Sequence, residues 1–311
     1  MQTDKAKILV IGAGVNGSAC ASVLHNGGID VTILARGKRY DEILNEGIII
    51  EDPFNNKRSV TRVKVINSLN PDDFYDYILV IIRKNQVPSL LHVLAENRSS
   101  NVVFMGNNLA GADEYTNALG KDRVMMGFVY AGGKREGNII KAIISKSIAV
   151  PFGEINGAIT PRLNRFINIL RQGGFKAVAS PCILDFLMTH GVGVPLFGKL
   201  TFKYGNNTRA LSKSTDDLKL LADAMHESFN VLQALGYRIV PKSQSLVKFL
   251  PRFILVVFFR ALLSSKLGEV GLAWHVSQAP DEINHLAQEL EVLVEKSGLP
   301  SPAIRKVLSI N

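Results

Sequence analysis

At 311 residues, with 47% hydrophobic and 20% charged residues, the chain has the composition of a globular protein large enough for two domains, and a disordered tail or a disulfide-stapled miniature is excluded. The formal charge of +9 and pI near 9.5 raise the question of a polyanionic partner. No basic run interleaved with aromatics and no nucleic-acid motif is present, so no nucleic-acid partner is expected and anionic small ligands account for part of the charge. Cys20 and Cys182 show no C-x-x-C spacing, which argues against a disulfide framework, and no metal site is expected.

The first residues, MQTDKAK, run straight into a strand without a signal-like stretch, so a cytoplasmic protein is expected. Ile8 to Ile11 is a branched apolar run without a polar face, the pattern of a strand buried on both sides of a parallel sheet. It breaks into Gly12-Ala13-Gly14-Val15-Asn16-Gly17. In this G-x-G-x-x-G the first glycine permits the tight turn, the second lets backbone approach a pyrophosphate, and the third lets helix pack on strand. A helix over Val15 to Asn26, a stop at Gly27-Gly28 and a second strand over Asp30 to Leu34 complete a dinucleotide-binding unit within about thirty residues. At the second strand's tip an NAD site wants a carboxylate, but this chain has Ala35-Arg36-Gly37-Lys38-Arg39. Cationic groups suit a 2′-phosphate, so NADP(H) is the expected cofactor, with Arg36 as its main contact and Lys38 or Arg39 in support.

Farther along, a short helix to Asn45 precedes small strands over 47–50 and Ser59 to Ile66. Asp76 to Ile82 is the next buried strand, ending in Arg83-Lys84-Asn85-Gln86, and ligand groups in such sheets collect at the carboxyl ends of strands. A helix from Pro88 to Glu96, a strand over Val102 to Met105, the polar elbow Gly106-Asn107-Asn108 and a helix over Gly111 to Leu119 follow. Strands are then expected over Val124 to Tyr130, Asn138 to Ile144 and Ile148 to Phe152, with Ala131-Gly132-Gly133 and Glu136-Gly137 as turns; Gly132 is read as a further cofactor contact. After a helix over Pro161 to Gln172 and a last strand to Ala179, apolar residues recur only at helical spacing: Ile183 to Tyr204, Asp216 to Leu235, Phe249 to Lys266 and Asp281 to Lys296. The fold class is thus α/β plus all-α, a Rossmann-like domain over 1–180 followed by a helical domain over 181–311 for substrate and dimerisation. The apolar stretch Phe249 to Leu263 falls short of the ~20 residues of a spanning helix, so no transmembrane segment is expected, and it reads as core, homodimer surface or membrane-surface contact.

Several segments together resemble the ketopantoate reductase family: Gly12 to Gly17, Leu34-Ala35-Arg36-Gly37, Met126-Gly127 leading to Lys134-Arg135-Glu136-Gly137-Asn138-Ile139, Phe152-Gly153-Glu154, Asp281-Glu282-Ile283-Asn284, and Gly298-Leu299-Pro300-Ser301-Pro302. The resemblance spans nearly the whole chain. It implies an NADPH-dependent reductase of a small anionic 2-oxo acid, such as ketopantoate, built as a homodimer. It places Arg83 at the family's lysine after the third main strand, Asn107 at the asparagine of the elbow holding nicotinamide and substrate, and Glu282 at the late glutamate. One departure stands out. Alignment on Pro195-Leu196 puts Phe186 at the catalytic lysine and His190 at the asparagine one turn on. His190, with an ordinary imidazole pKa near 6.5, is then the candidate proton donor, on the same helix face as Phe186. His275, beside Trp274, reads as packing. A different 2-oxo acid or ketone substrate stays open, as does a non-catalytic NADP(H)-binding regulator.

Overall fold

The computed structural model describes residues 6–129, 131–144 and 148–310. They fall into two compact units, one of Met1–Gly106 with Ala112–Ile183 and one of Asn107–Gly111 with Leu184–Asn311.

The first unit runs β1 (Lys7–Ile11), α1 (Val15–Asn26), β2 (Asp30–Leu34), α2 (Lys38–Glu46), β3 (Ile48–Glu51), β4 (Arg58–Thr61), β5 (Lys64–Ile66), β6 (Tyr77–Val80), α3 (Leu91–Glu96), β7 (Val102–Met105), α4 (Asp113–Leu119), β8 (Val124–Gly127), β9 (Ala131–Glu136), β10 (Ile139–Ile144), β11 (Val150–Glu154), α5 (Pro161–Gln172) and β12 (Ala177–Ala179). Eight strands form one sheet in the order β12-β11-β8-β7-β6-β1-β2-β5, parallel except where β11 meets β8. Ile8 to Ile11 pair with β2 on one side and β6 on the other and are at most 3% exposed, which is why β1 carries no polar face. The strand order reverses at β1, and that switch point is where open α/β sheets bind ligands.

A second sheet has the order β4-β3-β10-β9. It corrects two expectations. The 59–66 stretch is not one strand: Arg58–Thr61 pairs with β3, while Lys64–Ile66 joins β2 in the main sheet. The turn expected at Ala131-Gly132-Gly133 is strand, with Gly132 opposite Ile143. Its glycines serve close strand approach, since a Cβ on Gly133 would overlap the Lys141 carbonyl. Tyr130, the end of the expected 124–130 strand, lies outside the described residues.

The second unit is helical among the described residues: α6 (Ile183–Gly191), α7 (Gly193–Lys203), α8 (Thr208–Lys213), α9 (Thr215–Ala234), α10 (Lys242–Val247), α11 (Arg252–Ser264), α12 (Lys266–Gly268), α13 (Trp274–Gln278), α14 (Pro280–Ser297) and α15 (Pro302–Leu308). The single helix expected over 183–204 is two, broken at Val192. Leu196 and Leu200 of α7, Leu218, Leu221 and Phe229 of α9, Leu286 and Leu290 of α14 and Ile304 of α15 are fully buried together, the spacing of one apolar stripe per helix. α15 begins inside this core, so its first amides need an acceptor. Glu227 of α9 supplies one, taking the amides of Ala303 at 3.1 Å and Ile304 at 2.9 Å.

Because that carboxylate both accepts hydrogen bonds and meets the positive end of α15, Glu227→Ala should lower stability by about 1–2 kcal/mol. Urea unfolding followed by circular dichroism checks this, and an unchanged midpoint would show the cap to be dispensable.

Candidate functional site

The chain leaves β1 at Gly12, whose φ of +114° favours glycine. A Cβ there would overlap the Ile81 carbonyl, and a Cβ on Gly17 would overlap the carbonyl of Gly12 itself, so α1 rests directly on the loop. The Gly12 amide donates to Leu34 O at 3.4 Å, tying the loop to the tip of β2. Gly14 is different. Its φ of −76° is open to any residue, and a Cβ would meet nothing within 4 Å. Two glycines of the motif are therefore demanded by packing, and the middle one by space kept open beside the start of α1. That helix has no side-chain N-cap and no acidic residue in its first turn, which leaves its first amides for an external anion.

Arg36 is exposed and has no hydrogen-bond or ion-pair partner among the described residues. Lys38 is also exposed and only loosely paired, 4.0 Å from Glu42. Arg39 behaves otherwise, and its expected support of a 2′-phosphate is corrected. It is 7% exposed and points inward, its Nε donating to Ala13 O at 3.2 Å and its two terminal nitrogens to Glu42 Oε2 at 3.0 Å, Asn138 O at 3.2 Å and Ser18 Oγ at 3.4 Å. Burial pulls its pKa below arginine's ordinary value, with Glu42 opposing the shift. Arg39, in the first turn of α2, thus braces the glycine loop, while Arg36 precedes that helix and is exposed to solvent.

Beyond β6, Arg83 precedes a 3-10 turn over Lys84–Gln86 and is half-buried. Lys84, by contrast, is turned into the first unit, its Nζ 3.0 Å from Glu114 Oε2 and 4.8 Å from the ring centre of Tyr115.

The two asparagines of the elbow, both in the second unit, divide their work. Asn108 closes its own loop, donating to Gly111 O at 2.7 Å and accepting from the Ala110 amide at 2.9 Å. Glu289 of α14 takes the Leu109 amide at 2.9 Å, which fixes the elbow to its unit. Asn107 Oδ1 is buried with no hydrogen-bond partner among the described residues. A buried acceptor left unpaired costs about 1–3 kcal/mol, so this atom fits a donor brought by a ligand, such as a carboxamide NH₂ or a hydroxyl.

Elsewhere in the second unit, Phe186 is buried and its ring lies parallel to that of His190 at 6.3 Å. Burial, with the charge of His275 in second place, pushes the His190 pKa from 6.5 down to about 4. That corrects the ordinary imidazole expected from sequence: His190 is neutral at neutral pH. His275, expected to be packing alone, has its Nε2 3.8 Å from Oε2 of Glu282, itself 4% exposed in the first turn of α14. His275 therefore stands near both Glu282 and His190. The spacing of seven residues between His275 and Glu282 hid this, because the chain breaks at Ala279-Pro280 between them.

Residues 8–154 match the family model described as ketopantoate reductase PanE/ApbA. No curated protein sequence matches the chain. Among solved structures the chain is similar to a 2-dehydropantoate 2-reductase from Geobacter metallireducens GS-15, at 16% identity and a TM-score of 0.81 with 98% of each chain covered. It is similar also to a D-mandelate dehydrogenase in ternary complex with NADH and anilino(oxo)acetate, at 16% identity and a TM-score of 0.79 over 98% of this chain and 96% of that one. A third is a 2-dehydropantoate 2-reductase from Porphyromonas gingivalis W83, at 17% identity and a TM-score of 0.71 with 98% of each chain covered. At such identities the likeness is one of fold.

The contrast among the glycines is directly testable. Gly14→Val should leave the melting temperature nearly unchanged and abolish dinucleotide binding, whereas Gly17→Ala should destabilise the fold by about 1–3 kcal/mol through overpacking. Calorimetric titration and thermal unfolding of both variants decide it; retained binding in Gly14→Val would show that the open space is not the pyrophosphate's.

Proposed function

Residues 8–154 match the family model described as ketopantoate reductase PanE/ApbA, and with that match in view we propose that the chain is an NADPH-dependent reductase of a small 2-oxo acid. The observation that carries the reading is the space beside Gly14 at the head of an uncapped α1, with an exposed, unpartnered Arg36 at the neighbouring strand tip. A pyrophosphate would take the first, and a 2′-phosphate the second. When bound, NADPH supplies the hydride that reduces a carbonyl carbon.

The chain's own residues do the rest. Gly12, Ala13, Val15, Asn16 and Gly17 shape the loop and aim its amides at the pyrophosphate, and Arg39 holds that loop from below. Lys38 adds positive charge near Arg36, and Arg83 adds it at the carboxyl end of the sheet. Asn107 Oδ1 accepts a hydrogen bond from the cofactor's carboxamide or the substrate's hydroxyl. His190, neutral at working pH, donates an N–H hydrogen bond to the carbonyl oxygen as charge develops there, the role a neutral imidazole can fill without first being protonated, and the resulting alkoxide takes its proton from solvent water. Glu282 orients the imidazole of His275. Gly132 lies in the second sheet, opposite Ile143.

The buried phenyl ring of Phe186 favours a second reading of the substrate. No Lys or Arg stands anywhere on α6, so a 2-oxo acid or ketone other than ketopantoate is the alternative, tested by NADPH oxidation across a panel that includes ketopantoate.

NADPH should bind more tightly than NADH, and Arg36→Ala should weaken NADPH by roughly ten- to a hundredfold, the value of one charge-assisted hydrogen bond, while sparing NADH. Equal affinities in the wild type would remove the case for the 2′-phosphate.

For the chemical step, His190→Ala should lower turnover by roughly 10²- to 10³-fold with NADPH affinity unchanged, as for loss of one donor to a developing oxyanion. With a folded pKa of about 4, His190 stays in its donor form as pH rises through the neutral range, so the turnover profile should show no step belonging to it near 6.5. A wild-type step there that disappears in His190→Ala would identify an imidazolium acid and overturn the neutral-donor role.

A further inference from the structure

The apolar stretch that reads from sequence as core, dimer surface or membrane contact is only half core. In α11, Leu255, Val256, Phe259 and Leu263 are buried against the helices of the second unit, while Phe253, Val257 and Phe258 on the other side are 68%, 62% and 57% exposed. Leu246 and Phe249, just before the helix, are 62% and 77% exposed. These five exposed large apolar side chains within thirteen residues, three of them on one helix, make the kind of patch that marks a contact.

The charges around it say what kind. From Pro241 to Gly268 the chain has Lys242, Lys248, Arg252, Arg260 and Lys266 and no Asp or Glu. Lys242 and Lys266 are exposed. Arg260 is held beside the patch by Ser212 O at 3.2 Å and Thr215 Oγ1 at 2.8 Å, neither of them charged. Among the described residues Arg252 alone of the five has an acidic partner, Asp223 at 3.1 Å. We propose that this face of α10 and α11 seats the protein on an anionic phospholipid bilayer, with the phenylalanines entering the acyl boundary and the flanking cations meeting the headgroups.

The dimensions agree. No described helix is long and apolar enough to cross a membrane. A helix of thirteen residues is about 20 Å long and lies in the interface plane with its apolar side sunk ~5–10 Å. Each flanking cation near an anionic surface adds attraction that a neutral surface does not offer. A second copy of the chain is a poorer occupant: a two-fold contact through this face sets the patch against itself, bringing the same cations together with no acid in the segment to meet them. The formal charge of +9 acts in the same direction over longer range.

The test is cosedimentation of the full chain with vesicles of phosphatidylcholine alone or of phosphatidylcholine containing phosphatidylglycerol. The protein should pellet with the anionic vesicles and remain in solution with the neutral ones. Replacing Phe253, Val257 and Phe258 together by Ser, Asn and Ser should lower partition at least tenfold, with circular dichroism and NADPH binding unchanged because all three side chains are exposed. Lys242→Gln should lower it by about fivefold, and Lys266→Gln, which also gives up the contact of its Nζ with the Trp274 ring at 5.8 Å, by about as much with circular dichroism unchanged. Wild-type protein that stays in solution with anionic vesicles overturns the proposal. So does a wild-type dimer in sedimentation equilibrium that the triple variant converts to monomer, since the face would then be a contact between copies.

Discussion

The contact of α1 with the loop beneath it governs the first unit. With the Gly12 carbonyl lodged under Gly17 and the Gly12 backbone against Ile81, the helix cannot sit anywhere else over β1. That single close approach aims the helix N-terminus along the carboxyl edge of the sheet, at the point where strand order reverses. Arg39 secures the same loop from α2 through Ala13 O and Ser18 Oγ and reaches Asn138 between β9 and β10. A guanidinium with fixed fork geometry suits this task better than a lysine would. Its burial is tolerable because Glu42 lies 3.0 Å away and the carbonyls of Ala13 and Asn138 and the Ser18 hydroxyl accept further hydrogen bonds from it.

Local chemistry made the glycine loop, β1, β2 and α5 legible, because period, breakers and caps agree there over short distances. Thr160 caps α5 with its side chain, and Pro161 takes the first position, a boundary visible in the letters alone. Elements set by distant partners were not legible. Whether residues 131–133 turn or extend depends on β10 lying alongside, and whether 59–66 is one strand or two depends on which sheet each half joins. Short helices such as α8 and α15 carry too few apolar repeats to show a period, yet α15 is held by the Glu227 carboxylate from another helix.

Site residues divide in the same way. Gly14 and Arg36 could be nominated from motif and position, since what they offer is space and an exposed charge. Arg36 and Arg39 look alike as letters, and only the acceptors that the fold gathers around Arg39 separate a cation presented to solvent from one buried against the loop. His275 joins Glu282 across a helix break, and no local pattern announces such a meeting.

The pairing of Phe186 with His190 carries a chemical consequence. An ammonium group can both protonate a developing alkoxide and attract a carboxylate, whereas a neutral imidazole beside a phenyl ring does only part of the first and none of the second. Desolvation holds His190 neutral, and any proton added there would also meet the charge of His275. The second unit, under the proposed reading, offers a substrate hydrogen bonds from Asn107 and His190 and an apolar wall from Phe186, with no cation from α6. Under the proposed reading, selection by this unit rests on the shape and hydrogen-bonding groups of the substrate's side chain. Charge recognition then falls to cations outside α6, and a substrate more apolar than ketopantoate is the better match to that phenyl wall.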